Sequence, residues 1–184
     1  MTWIDVFGIL VIVAYGVGGY FSGVVRRLIG LVAVYVALFA ATNMGLQAGG
    51  ILQQSSNFET PDARVYGFFF IVVAVIAIVE GATQLAHAQI QLPAMVLNRS
   101  LGVAIGVITG LLLTIIVVYE LGAAGNPFGG SQLDGQQQSI RDAYNGSHVI
   151  VPLVRAIDKP VIDLFQPALP ADPQIYFSSS PVNP

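Results

Sequence analysis

The chain has 184 residues, 55% of them apolar and only 9% charged, whereas a water-facing domain carries about 25% charged residues. Its seven Lys and Arg against ten Asp and Glu leave a net charge of −3, which argues against a nucleic-acid binder, since that needs a cationic face. There is no cysteine, which removes disulfides, CxxC redox pairs and thiolate metal sites from consideration.

About 20 apolar residues in a helix cross a bilayer core of about 30 Å. Four stretches approach that length: 3–21, 28–44, 66–86 and 101–121. No Lys or Arg precedes the first, and Asp5 stands where a signal peptide would be cationic, so it reads as a retained span. The connection Ser22–Arg27 is short and makes spans one and two an antiparallel hairpin. Gly45–Val65 reads as a longer polar connection, with Gly49, Gly50, Pro61 and a Gln/Ser/Asn run. His87–Ser100 reads as a moderate loop containing Pro93. The fold class expected is therefore an all-α membrane protein: a four-helix transmembrane bundle over 1–122 with a tail outside the bilayer. Arg26 and Arg27 lie in the first connection and Arg99 in the third, so by charge placement the N- and C-termini are extracytoplasmic.

Beyond the bundle, residues 123–138 read as a Gly-, Gln- and Asn-rich linker. Over 139–166 the pattern is helical and amphipathic. Ile150, Leu153, Val154, Ile157, Val161, Leu164 and Phe165 share one face, which fits the membrane interface or a partner. Pro152 suits a first helical turn, whereas Pro160 should kink or break the helix. The remainder, 167–184, is rich in Pro and Ser and is expected to be extended, and ordered only if something holds it.

Several segments together resemble the colicin V production protein (CvpA-like) family. They are the opening Trp3-Ile4-Asp5, the turn from Gly19 through Gly23 to Arg26-Arg27, the entry Leu97-Asn98-Arg99-Ser100-Leu101-Gly102 with Gly106 beyond it, and Ser147-His148-Val149-Ile150-Val151-Pro152 in the tail. The resemblance covers about residues 1–165. It departs from the family's usual pattern at Ser22, Asn98 and Thr109, where family members carry charged residues. It implies a multi-pass protein of the bacterial cytoplasmic membrane, linked to toxin production and envelope physiology. In some relatives the same unit anchors an extracytoplasmic serine protease, for which this chain is too short.

Candidate sites are few. Glu80 lies inside span three, where an unpaired carboxylate costs several kcal/mol. It reads either as a proton or cation relay or, more plainly, as an interhelical hydrogen bond or a group reaching for the interface. Gly102, Gly106 and Gly110 repeat every four residues and give span four a face for close helix packing, inside the chain or between chains. Gly19 and Gly23 form a shorter version suited to the turn. Arg26, Arg27 and Arg99 set topology and could meet anionic headgroups. Asp5 with Thr2 reads as a helix start, and Glu120 as a boundary residue without a special role. His87 and His148 fall on opposite sides of the membrane and cannot share a metal. No HExxH, GxSxG or P-loop is present, so neither an enzyme nor a cofactor or metal is expected. The sequence points to a non-catalytic membrane subunit or scaffold, surrounded by lipid, that docks other membrane proteins or copies of itself through small-residue faces and the amphipathic tail. The alternative is a small oligomeric transporter or channel component using Glu80.

Overall fold

A backbone facing lipid has to satisfy its own hydrogen bonds, and long apolar runs do so as helices. The computed structural model describes residues 1–56, 58–87, 95–128, 133 and 135–178. Its elements are α1 (Trp3–Ser55), α2 (Thr60–His87), α3 (Met95–Ala124), α4 (Gly135–Asn145), α5 (Ile150–Phe165), a 3-10 turn (Gln166–Ala168) and α6 (Pro173–Tyr176), and no strand occurs among the described residues. Three of them, α1, α2 and α3, are long and apolar enough to cross a membrane.

At 53 residues α1 would be about 80 Å long if straight, more than twice a bilayer core. It is broken at Gly23, where φ is 73° and ψ is −177°, a region open essentially to glycine alone. The break reverses the chain. The Arg27 guanidinium lies against Gly18 and 5.3 Å from the centre of the Tyr15 ring, positions a straight helix would carry out of reach. The 16-residue α5 also begins beside Gly8 and ends with Phe165 5.8 Å from Tyr35, and Ala168 beyond it accepts from Thr42 at 2.8 Å. Only a folded α1 brings Gly8 and Thr42 within the span of one such helix. The first arm packs antiparallel on α3, with Gly8 opposite Thr114 and Gly19 opposite Gly102. The second packs antiparallel on α2, with Gly30 opposite Glu80 and Gly49 opposite Ala63. We refer to the end holding Gly23 as the turn end and the end holding Asp5 as the cap end.

Several boundaries differ from the sequence expectation. The reversal takes one residue, not the stretch Ser22–Arg27. Gly45–Ser55 is helical rather than a loop, because Gly45 and Gly49 let the second arm lie directly on Phe68, Ala63 and Gly67 of α2; this close packing offsets the low helix propensity of glycine. Residues 95–100 belong to α3, and the rest of the third connection, with Pro93, lies outside the described residues. The segment 139–166 is two helices, because α4 ends at Asn145 and α5 starts at Ile150. The linker 123–138 overlaps the end of α3 and the start of α4, and residues 129–132 and 134 lie outside the described residues. Pro160 neither ends α5 nor stops it before Phe165; it sits on the exposed face, while Ile150, Val154 and Phe165 hold the opposite face against the bundle. Residues 167–178 are held rather than loose, with Phe177 fully buried and ring-packed on Phe68.

The core sits toward the cap end. It joins Ile4, Val34, Leu38, Phe68, Ile115, Ile116 and Val118 of the long helices to Ile140, Ile150, Val154, Phe165 and Phe177 of the cap. Outward-facing positions such as Leu10, Val17, Val32, Phe39, Phe70 and Ile108 are exposed apolar side chains, as a lipid-facing surface requires.

Candidate functional site

Two polar clusters, one at each end of the bundle, carry the unusual chemistry. At the cap end, Asp5 is 0% exposed although it lies in the first turn of α1. Its carboxylate accepts from five donors: Thr2 N at 3.0 Å, the Ser147 hydroxyl, and the backbone N–H groups of His148 at 3.4 Å, Val149 at 3.2 Å and Ile150 at 3.0 Å. Ser147 Oγ in turn accepts from Val151 N at 3.0 Å. A helix leaves its first N–H groups without internal partners and concentrates positive charge there. Asp5 meets that need for α5 from the far end of the sequence, while Ser147 links the carboxylate to the first turn. Gly8, one turn further along α1, leaves room for Ile150, whose side-chain carbons would lie 2.9 Å from any Cβ placed there.

At the turn end, Glu80 lies between two arginines. Arg26 Nη2 is 3.4 Å from Oε2 and also donates to the Glu80 carbonyl at 3.2 Å, and Arg27 Nη1 is 3.3 Å from Oε1. Arg27 Nε further donates to Ser22 Oγ at 3.0 Å, and Ser22 donates to the Gly18 carbonyl at 2.7 Å. Asn98 Oδ1 accepts from Val24 N at 2.9 Å, directly after the Gly23 reversal. Arg99 stands apart from the ion pairs, its guanidinium 5.2 Å from the Tyr20 ring centre. Glu80, Arg26 and Arg27 thus form one interhelical cluster that ties α2 to the reversal of α1. Ser22 and Asn98, the neutral departures from the family pattern, secure the same turn by hydrogen bonds. The third departure, Thr109, is buried and returns its hydroxyl to the Ile105 carbonyl at 2.8 Å.

The glycines of α3 are used inside the chain. A Cβ on Gly102 would run into the Gly19 carbonyl and come within 2.9 Å of Gly23 Cα. One on Gly106 would strike the Tyr15 carbonyl, and one on Gly110 would lie 2.9 Å from Ile12 Cα. The five glycines singled out from sequence therefore form one seam between the first arm and α3.

The family model for the colicin V production protein matches residues 4–144. This chain belongs to the colicin V production protein family. The match takes in Asp5, the glycine seam, the Glu80 cluster and most of α4, and stops three residues before Ser147. No curated protein and no solved structure matches the chain. Membership together with three long apolar helices makes this a membrane protein of the colicin V production type.

Within this family member, sequence reasoning undervalued several residues. From sequence Asp5 reads only as a helix start; the motifs holding Asp5 and Ser147 are both legible there, and only their meeting is not. Glu120 reads from sequence as a boundary residue. It is 0% exposed, with neither carboxylate oxygen hydrogen-bonded among the described residues, because α3 runs on to Ala124 and the C-terminal segment folds over it. Arg64, within the stretch expected to be a connection, donates to the carbonyls of Tyr176 (3.3 Å) and Ser178 and fastens that segment. Tyr176 closes the same contact by donating to the Ala41 carbonyl at 3.1 Å, and its burial raises the phenol pKa above the ordinary value of 10.0. Of the amphipathic face, Ile150, Val154 and Phe165 are buried in the bundle, Ile157 and Val161 are half-buried, and Leu153 and Leu164 remain exposed. His148 contributes its backbone N–H to Asp5, and the His87 side chain lies outside the described residues.

Proposed function

We infer that this colicin V production family member is a non-catalytic subunit of the bacterial cytoplasmic membrane that crosses four times and holds a rigid cap on the extracytoplasmic side to dock other membrane proteins. Four crossings follow if each arm of α1 traverses the bilayer. Arg26, Arg27 and Arg99 gather at the turn end, which supports a cytoplasmic turn end by the positive-inside rule, with both termini outside. The observation that carries the reading is the Asp5 network. A buried carboxylate with five donors, three of them backbone N–H groups around the start of one helix, fixes the cap to the first arm and presents α5 at a set height and angle. Ser147, the one hydroxyl in this network, is buried and committed to Asp5 and Val151, which leaves it no role as a nucleophile.

The docking face differs from the one the sequence suggested. The glycine seam and most of the α5 apolar stripe are occupied internally, leaving Leu153 (42% exposed) and Leu164 (66%) beside Arg155, Lys159 and Asp163. The test is mild-detergent extraction followed by native gel and mass spectrometry, comparing the parent chain with Leu153→Glu/Leu164→Glu. We expect the parent to co-migrate with a large complex and the variant to migrate alone with unchanged thermal stability. Parent protein that runs free of partners, or a variant that keeps them, refutes the reading. The transport alternative finds no support in the placement of Glu80, since each of its oxygens faces an arginine.

A further inference from the structure

Charge is divided unevenly over the molecule. Three of the chain's seven Lys and Arg, namely Arg26, Arg27 and Arg99, lie at the turn end with one of its ten Asp and Glu, Glu80; the remainder of the chain has four basic residues against nine acidic ones. Glu80 engages two of the three arginines. Arg26 and Arg27 each face one of its oxygens, and their side chains are only 18% and 8% exposed. Arg99 is exposed and has no ion pair or hydrogen bond among the described residues. Its guanidinium rests 5.2 Å from the centre of the Tyr20 ring. A ring attracts the charge but accepts no conventional hydrogen bond, so the five N–H donors stay available. Asn98, the residue before it, accepts from Val24 N, which holds Arg99 at the reversal.

The height of this group follows from the first arm. Trp3 to Tyr20 is 17 residues of unbroken helix, about 26 Å, close to a bilayer core of about 30 Å. An arm that crosses with Trp3 at one boundary has Tyr20 at the other, the level at which tyrosine rings meet head groups. Tyr20 is 45% exposed and Phe21 79%, and their rings meet edge to face at 5.3 Å.

We propose that Arg99 and Tyr20 form a head-group site for an anionic phospholipid of the turn-end leaflet, of the phosphatidylglycerol class. The guanidinium donates a pair of N–H groups to the phosphodiester oxygens, a fork that matches them in geometry and charge. Tyr20 holds it at head-group height, and Phe21 offers apolar surface at the same level. The excess of two positive charges at this end favours a head without an ammonium group over a zwitterionic one. Arg26 and Arg27, equal candidates by sequence, are committed to Glu80 and Ser22 and contribute field rather than contact. The assignment requires only that the long helices span the membrane, and is independent of the docking role and of which side the turn end faces.

The experiment is photolabelling of the full chain in phosphatidylcholine nanodiscs doped with phosphatidylglycerol or phosphatidylcholine bearing a diazirine on the head group, with adducts mapped by mass spectrometry. Phosphatidylglycerol should label the segments around Tyr20 and Arg99 several-fold more than phosphatidylcholine does, with no such excess around Trp3 at the cap end. Arg99→Gln should abolish the excess. Tyr20→Leu, which leaves every topology charge in place, should lower it and decides the matter if Arg99→Gln changes the orientation of the chain, read by protease access to the C-terminal tail. An excess that is absent, that is equal around Trp3, or that survives Arg99→Gln in an unchanged orientation overturns the site, as does one that survives Tyr20→Leu. Loss of the labelling in inorganic phosphate, but not in chloride of equal ionic strength, overturns the lipid assignment in favour of a free-phosphate site.

Discussion

Asp5 combines full burial, charge and a complete set of donors. Hydrogen bonds to charged groups are worth about 1.5–3 kcal/mol each where a partner is lost, but of the donors here only Ser147 and Ile150 are buried, while His148 and Val149 are exposed and can turn to water. Asp5→Ala should therefore lower unfolding stability by about 2–3 kcal/mol. It should also raise hydrogen exchange at Val149–Val154 far more than at α3, measured in detergent micelles. Asp5→Asn should fall between the two, because an amide can accept at one position only. Ser147→Ala should reproduce part of the loss; exchange at the start of α5 unchanged in both Asp5 variants would refute the anchor. Gly23 poses a different constraint. Its positive φ excludes side chains, and a Cβ there would also lie 2.6 Å from Asn98 Nδ2. Gly23→Ala should cost on the order of 1–3 kcal/mol by strain alone, read as a fall in Tm. Glu80→Gln keeps the shape and removes the charge between Arg26 and Arg27. The expected result is a lower Tm that recovers at high ionic strength less than a surface pair would, since Arg27 is only 8% exposed.

Among elements, the seam between the first arm and α3 is made of backbone in contact with backbone. In lipid there is no hydrophobic drive to press helices together, so close approach and its dispersion energy do that work. Gly106→Leu should push the first arm away and leave aggregated or protease-sensitive protein, not a well-folded chain that has merely lost partners. Limited proteolysis separates these outcomes. How far the elements could be read from sequence follows the same physics. The apolar runs and the four-residue glycine repeat announce long helices and a packing face, because both are local patterns. Gly45 and Gly49 misled the reading, since glycines in a stretch rich in Gln and Ser resemble a loop until Phe68 and Ala63 are seen beneath them. Pro160 misled it too, since local propensity predicts a break where tertiary packing of Val154 and Phe165 maintains the helix. The pairing of Asp5 with Ser147, and the burial of Glu120 beneath the C-terminal segment, depend on contacts more than 50 residues apart in sequence and have no local signature.

For the whole molecule, the arrangement is a membrane bundle closed at one end by its own C-terminal third. Removing residues 166–184 should uncover Phe68 and the Ala41 carbonyl, lower Tm, and leave the helices in the membrane, as judged by alkaline carbonate extraction. The bond through Tyr176 adds a dependence on pH. Its phenol is held neutral by burial, so its contribution is complete below about pH 10, where an exposed tyrosine ionises, and declines as the pH climbs beyond that. Exchange protection of Tyr176–Ser178 should be flat from pH 6 to 9 after correction for intrinsic rates, which a fall within that range would contradict.

The carboxylate at the fifth residue finds its last backbone donor 145 positions later. Contacts so distant along the chain form only after everything between them has been made, and they close large loops. If the first arm crosses the bilayer as proposed, it does so while its acidic side chain still lacks most of its eventual partners, with only the amide of Thr2 at hand. A ribosome-stalled chain ending before Ser147 should insert its long helices yet leave Asp5 reachable by a water-borne carbodiimide, and release of the complete chain should abolish that reaction. That outcome would mean that the first few residues of the chain are among the last to reach their final surroundings.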